Sequence, residues 1–311
     1  MATAHTAADA PAGDWSDAAL LEYLATIDPA LTGPALAGRR PPARTDHARI
    51  WLNGRWLAEV FEVTEAAVVD RIALATDLLL AHVVWQDHRV DGDVADPRLT
   101  ASTDLLGNIV LVDALARCAV IAADARFWLD ARAAFEALAN GYLTESAVTG
   151  AVGDGPPSTD LLDVVADRYA VLRIPVSALG WHTGQPQRVE VVWRALRHLA
   201  FGVQLKDDLT DWRDDHIRAR PTYLLMQAAH RCGAPLPECT SDQLANAMFL
   251  DGVLERVLWT SSEYLRASLA ELDPYPHTRF YRFITGMLAH NARVVEDVTR
   301  RKAAFLAAAR G

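Results

Sequence analysis

From Asp46 onward, nearly every segment of this chain places apolar residues three and four positions apart, the repeat of a helix. Several segments go further and are apolar around much of their circumference, as in "IALATDLLLAHVVW" and "NIVLVDALARCAVIAADA". A helix of that kind cannot lie on a surface with one wet face, so it must be enclosed by other helices. No segment alternates with the two-residue period of a strand. The pattern predicts an all-α protein, a single bundle of about ten helices over roughly 46–308. Bundle interiors commonly hold ligand cavities, so a central apolar cavity is expected.

The predicted helices follow the punctuation of the chain. One covers "HARIWLNGRWLAEVF", and the next runs from Thr64, a plausible N-cap, through "TEAAVVDRIALATDLLLAHVVWQDHRVD". "TDLLGNIVLVDALARCAVIAADA" and "RFWLDARAAFEALANGYLTESAV" come before a break at "GAVGDGPPSTD". Then follow "LLDVVADRYAVLRIPVSALGW", "RVEVVWRALRHLAFGVQLKDDLTDWRDD", "SDQLANAMFLDGVLERVLWTSSEYLRASLAEL" and "RFYRFITGMLAHNARVVEDVTRRKAAFLAAAR". Residues 1–13 are small and polar and read as disordered. A short helix begins near Asp14, and "DPALTGPALAGRRPPAR" reads as a linker. The domain division is therefore a flexible segment over 1–45 with one short helix, and a helical domain over 46–311.

The chain has 311 residues, 51% of them hydrophobic, enough for a large core. Its net charge of -10 argues against a nucleic-acid partner, which needs a basic face. Cys118, Cys232 and Cys239 are odd in number and not in metal-ligand spacing, and read as reduced thiols of a cytoplasmic protein. No signal peptide is visible at the start. No apolar run is expected to reach the roughly 18 residues of a membrane span, because Asp77 and Asp113 interrupt the candidates.

Against this apolar background, one stretch stands out: "QLKDDLTDWRDDHIRARPTYLL", with five aspartates between Asp207 and Asp215. Asp207 and Asp211 are four apart and share a helical face, with Asp208 beside it. Carboxylates so placed repel one another unless a cation bridges them. Hard oxygen donors suit Mg²⁺, which takes a few carboxylates together with waters and phosphate oxygens. Lys206, Arg213, Arg218 and Arg220 surround the acids, a mixture that fits a metal-bridged phosphate. A second cluster, Asp87 and Asp91 with Asp93 after them, ends another apolar helix at "HVVWQDHRVDGD". Either cluster alone would read as solvated surface; the pair favours a charged mouth on an apolar interior. His82 and His88 have no Cys/His set around them, so zinc is set aside.

These motifs resemble those of the trans-isoprenyl diphosphate synthase and class I terpene synthase superfamily. "FGVQLKDDLTDWRDDHIRARPT" is similar to the second aspartate-rich motif of prenyl synthases, with Arg220-Pro221-Thr222 where a basic turn follows it. "HVVWQDHRVD" resembles the first motif with His88 in place of its second aspartate. "DRYAVLRIP" resembles the segment that places a diphosphate-binding lysine, here Arg168. The resemblance extends over roughly 60–230 by order and spacing. It implies the isoprenoid synthase fold, a prenyl diphosphate substrate, three Mg²⁺ ions held by Asp87, Asp91, Asp207, Asp208 and Asp211, and pairing as a homodimer. Arg168, Lys206, Arg218 and Arg220 would bind the diphosphate. Trp85, Trp181, Trp193 and Phe201 are candidate cavity faces able to stabilise a cation. Arg279, Tyr281 and Arg282 resemble, more weakly, an Arg/Tyr diphosphate sensor.

The arginine-rich stretches that hold a second diphosphate in chain-elongating enzymes are missing: "DGDVADPRLTAS" offers only Arg98. The expectation is therefore a Mg²⁺-dependent terpene synthase that ionises, and cyclises, an allylic diphosphate of fifteen or twenty carbons. The alternatives are a prenyltransferase joining an allylic diphosphate to a second substrate, and a catalytically inactive partner subunit.

Overall fold

The structure, a computed structural model, describes residues 17–28, 53–90, 97–150 and 166–308, together with Thr32 and Val164. Those residues are helical with no strand among them, as the periodicity requires. They form α1 (Asp17–Ala25), α2 (Gly54–Val60), α3 (Ala66–Val90), α4 (Pro97–Ala122), α5 (Phe127–Gly150), α6 (Arg173–His182), α7 (Pro186–Ile217), α8 (Tyr223–Cys232), α9 (Ser241–Phe249), α10 (Val253–Glu271) and α11 (Arg279–Ala308). Short 3₁₀ turns precede α6 and follow α8. The expected disorder over 1–13 and the Pro-rich linker after Asp28 lie outside the described residues.

Local chemistry moves several boundaries. α3 opens at Ala66, with Val68 and Val69 both donating to Glu65 O, one residue beyond the expected Thr64 cap. α4 starts at Pro97, earlier than expected, as proline suits the first helical turn where no N–H is needed. The single helix predicted over 161–181 is interrupted: a 3₁₀ turn at Ala170–Leu172 gives way to α6 at Arg173. Pro175 then falls in the first turn of α6, where its missing donor does no harm. The predicted helix over 241–272 divides at Gly252, which sits at φ 82 and lets α10 begin on a new axis. α8 was not anticipated.

The chain groups into two compact units, Met1–Arg55 with Glu65–Cys118, and Trp56–Thr64 with Ala119–Gly311. In the first, Gly54 lies against the α3 backbone so closely that a Cβ would meet Ile72 O at 2.7 Å and Ala73 Cα at 2.8 Å. α3 and α4 are joined by His82, whose buried Nδ1 donates to Gly107 O at 3.1 Å, and Trp85 packs beside the same glycine. α1 docks through Tyr23, which donates to Asp113 at 2.7 Å with the Arg117 guanidinium 5.7 Å from its ring centre. The expectation of no membrane-length apolar run does not hold for α4. Asp104–Ala122 is long and apolar enough by length and composition to cross a membrane, since Asp113 and Arg117 do not lower the average enough. One face of that segment is exposed, at Leu105, Val112 and Val120, while Leu106, Val110, Ala114 and Cys118 are buried.

The second unit is organised by α7 and α10. A Cβ on Gly202 of α7 would meet Leu265 Cδ2 at 2.9 Å and Ser261 O at 3.2 Å, so only hydrogen fits there. Ser261 donates to Gly202 O and Ser268 to Ala195 O, each at 2.7 Å, so two α10 hydroxyls reach the α7 backbone in a buried seam. α11 joins through Asn291, which donates to Ser261 Oγ at 3.0 Å and Ser262 Oγ at 3.3 Å. α8 and α9 complete an apolar cluster with Leu205, Trp212, Leu224, Leu244 and Val257. Residues 56–64 are pinned by Arg188, which donates to Val60 O at 2.6 Å and lies 4.8 Å from the Tyr275 ring centre.

Two outcomes test this packing. Gly202→Val should destabilise the chain by about 1–3 kcal/mol, with Gly202→Ala milder, in urea denaturation. Burial holds the His82 imidazole below its ordinary value of 6.5. The unfolded chain therefore takes up that proton first on acidification, and stability falls as pH drops below about 6.5. His82→Gln should remove up to one proton from that dependence, about 1.4 kcal/mol per pH unit, in unfolding curves between pH 5 and 8.

Candidate active site

α7 is a single rod of 32 residues whose N-terminal half is core and whose C-terminal end is acidic. Along one stripe, Phe201, Leu205, Asp208 and Trp212 recur at helical spacing, and all four are buried. Asp208 thus occupies a position that the periodicity assigns to the core, with only 4% of its surface exposed. Asp207 is half-buried and Asp211 exposed, on the face one step round the helix.

The Asp208 carboxyl is held by protein donors. Gln204 Nε2 donates to its Oδ1 at 2.9 Å from one turn earlier, and the backbone N–H of Leu224 donates to it from the first turn of α8. The next N–H of α8, on Leu225, is taken by the Thr222 side chain at 3.3 Å. Asp208 and Thr222 together satisfy two donors that a helix start leaves open. Burial still dominates: it pushes the Asp208 carboxyl up to about 7, against the opposing hydrogen bond from Gln204, with the charges of Asp215 and Asp207 adding to the rise. Asp215, one turn beyond Asp211, is a member of this acidic set that the sequence did not single out.

The basic candidates surround the same helix end. Lys206 is half-buried, and burial lowers its ammonium while the Asp207 charge opposes the fall. Arg218 and Arg220 lie in the turn that ends α7, where Arg218 N donates to Asp214 O and Arg220 N to Asp215 O. Ala219 between them stands at φ 53, the left-handed conformation that stops the helix. Pro221 and the Thr222 cap follow, so the "RARPT" stretch is the joint between α7 and α8. Arg168 sits away from this joint in sequence, with its guanidinium 5.7 Å from the Tyr142 ring centre. Asp87 is in α3 with its side chain outside the described residues, and Asp91 lies wholly outside them.

The aromatic candidates are dispersed. Phe201 packs 5.0 Å from the Tyr264 ring within the α7–α10 core, and Trp193 is buried two turns earlier. Trp181 donates to Asp130 at 2.8 Å and carries the Arg126 guanidinium 4.1 Å over its ring, so that face is already covered by a cation. Trp85 belongs to the α3–α4 contact of the first unit. Arg279 pairs with Glu59, and Arg282 donates to His277 O at 2.9 Å.

As a donor set for Mg²⁺, Asp207 and Asp211 fit in chemistry: hard oxygens one turn apart, beside a crowded carboxyl whose charge a cation would relieve. Among the described residues, no three acidic, histidine or cysteine side chains converge as a complete cage. An open set of this kind suits a metal that keeps waters and takes phosphate oxygens.

No family profile and no curated protein matches the chain. Solved structures do. A geranylgeranyl pyrophosphate synthetase from the archaeon Geoglobus acetivorans aligns with a TM-score of 0.69 at 14% identity, over 88% of this chain and 95% of that one. A polyprenyl synthase from Roseobacter denitrificans aligns with a TM-score of 0.58 at 14% identity, over 90% and 96%. The chain has the all-α isoprenoid synthase fold of these proteins.

Removing the buried acceptor tests the geometry of the joint. Asp208→Ala strands the Leu224 N–H and the Gln204 amide, and should cost about 1–3 kcal/mol. Asp208→Asn keeps an acceptor and sheds the repulsion, and should unfold near the wild-type urea midpoint at pH 7.

Proposed function

We propose that this protein is an enzyme acting on prenyl diphosphates, a Mg²⁺-dependent class I terpene synthase that ionises an allylic substrate. The observation that carries the reading is the acidic end of α7 in an isoprenoid synthase fold, with Asp207 and Asp211 one turn apart and Lys206, Arg218 and Arg220 around them. Asp207 and Asp211 would hold the metal, with Asp208 fixing the helix joint behind them. Asp87 and Asp91 are assigned metal binding on their sequence alone. Bound Mg²⁺ supplies positive charge to diphosphate oxygens as the C–O bond breaks. Arg168, Lys206, Arg218 and Arg220 would add charge-assisted hydrogen bonds to the leaving group. The poverty of arginine after Asp91 supports a single diphosphate and hence cyclisation or quenching of the cation over elongation.

A second reading has its own support. The solved structures of like fold are a geranylgeranyl pyrophosphate synthetase and a polyprenyl synthase, which favours prenyl transfer to a second substrate. Incubation with Mg²⁺ and geranyl, farnesyl or geranylgeranyl diphosphate, each with and without isopentenyl diphosphate, separates the two. Pyrophosphate and a hydrocarbon or alcohol from one allylic diphosphate alone is the expected result. Release that requires isopentenyl diphosphate establishes elongation instead, and no release with any of them points to another acceptor or to a catalytically inactive subunit.

Asp207→Asn should lower turnover by roughly 10²-fold or more, the scale seen when a group that stabilises developing charge is lost. Mg²⁺ with pyrophosphate should raise the wild-type melting temperature by mass action and leave that of Asp207→Asn nearly unmoved. Wild-type turnover in the variant would refute the metal assignment.

A further inference from the structure

The turn from α8 to α9 carries two cysteines that the proposed chemistry does not use. Cys232 is the last residue of α8, and Gly233 at φ 72 reverses the chain after it. Pro235 and a 3₁₀ turn over Leu236–Glu238 bring Cys239 back beside the helix end, where its thiol donates to Pro235 O at 3.4 Å and Ala234 O at 3.7 Å. The Cys232 thiol reaches across the same turn to Gln243 O at 3.5 Å. Cys239 belongs to the buried apolar cluster against which Cys232 packs. Their environments differ: Cys232 is partly open to solvent, whereas Cys239 is buried. Burial, and then the neighbouring Cys232, hold the Cys239 thiol above its ordinary value. Thiol hydrogen bonds are weak, so giving them up costs little when the sulfurs rearrange.

We propose that Cys232 and Cys239 are a redox-modification site, closing to a reversible disulfide when the folded protein meets a low-molecular-weight disulfide. The proposal is independent of the enzymatic reading. Cys232, the accessible sulfur, attacks the small disulfide as its thiolate and displaces one small thiolate. Cys239 then attacks the Cys232 sulfur of the mixed disulfide and displaces the second. The Sγ–Sγ bond forms, the two cysteine protons pass to the departing thiolates, and one small disulfide is reduced to two thiols. The site touches the acid-bearing helix directly. His216, in the last turn of α7, donates from Nε2 to Cys239 O at 3.1 Å and accepts at Nδ1 from Ser241 Oγ at 3.0 Å. Closing the bond therefore alters the turn on which the end of α7 is hung.

The test is incubation of the native full chain with glutathione disulfide, an acid quench, and intact-mass measurement. Digestion after glutamate follows, because cleavage at Glu238 separates the two cysteines. Cys118 is fully buried and its thiol is pushed up to about 12, so it should stay unmodified while the chain is folded. The readout is made on molecules that retain that thiol. The expected wild-type result is a loss of two hydrogen atoms, with the peptides on either side of Glu238 joined until dithiothreitol is added. Cys239→Ser should stop at one glutathione adduct on Cys232, and Cys232→Ser should remain unmodified. A persistent glutathione adduct on the wild type, or a wild type with no change in mass, overturns the proposal.

Discussion

The packing of α7 against α10 with only a glycine's hydrogen between them is the constraint on which the second unit depends. At Gly202 the helices approach so closely that the α7 carbonyl oxygens can be reached by α10 serines. Those hydroxyls satisfy a polar seam that would otherwise be buried without partners, and they fix the axial register of the two helices. Asn291 extends the same seam to α11. Side-chain interdigitation fixes the register only as sharply as the ridges are cut, and the hydroxyl-to-carbonyl bonds sharpen it. The seam thus determines where along the unit the acidic end of α7 stands.

At that end, burial and charge act against each other. Asp208 is carried into the core by the same periodicity that buries Leu205 and Trp212, and it is tolerated because Gln204 and the start of α8 meet it. Asp207 and Asp211 remain accessible because they lie one step round the rod. Within a run of adjacent aspartates, one carboxyl joins helices, and under the proposed function its neighbours hold a cation. The site chemistry and the fold are joined at a single carboxyl.

The helical class and most of the extent of α7 were legible because their apolar repeat is long, although the helix starts at Pro186, two residues before the expected Arg188. The division of roles among Asp207, Asp208 and Asp211 was less so. The stripe Phe201, Leu205, Trp212 pointed to Asp208 as the buried one, but a pattern of aspartates four apart draws attention to Asp207 and Asp211. α8 was overlooked although Thr222 and Gly233, its cap residues, bracket it. A helix of ten residues behind a basic turn offers too few repeats to assert itself. Trp181 and Phe201 show the limit for aromatics: composition announces a large apolar face, and only packing tells whether Arg126 or Tyr264 already covers it.

The length of α7 carries an evolutionary consequence. Its rise over 32 residues is about 48 Å, with no glycine- or proline-made kink needed between the seam at Gly202 and the acids beyond it. Inserting or deleting one residue in that interval would turn everything downstream by about 100°. Asp208 would swing into water, Asp207 or an apolar neighbour would swing inward, and α8 would lose its anchor. The spacing from Gly202 to Asp208 is thus held more tightly than the identity of the side chains between them.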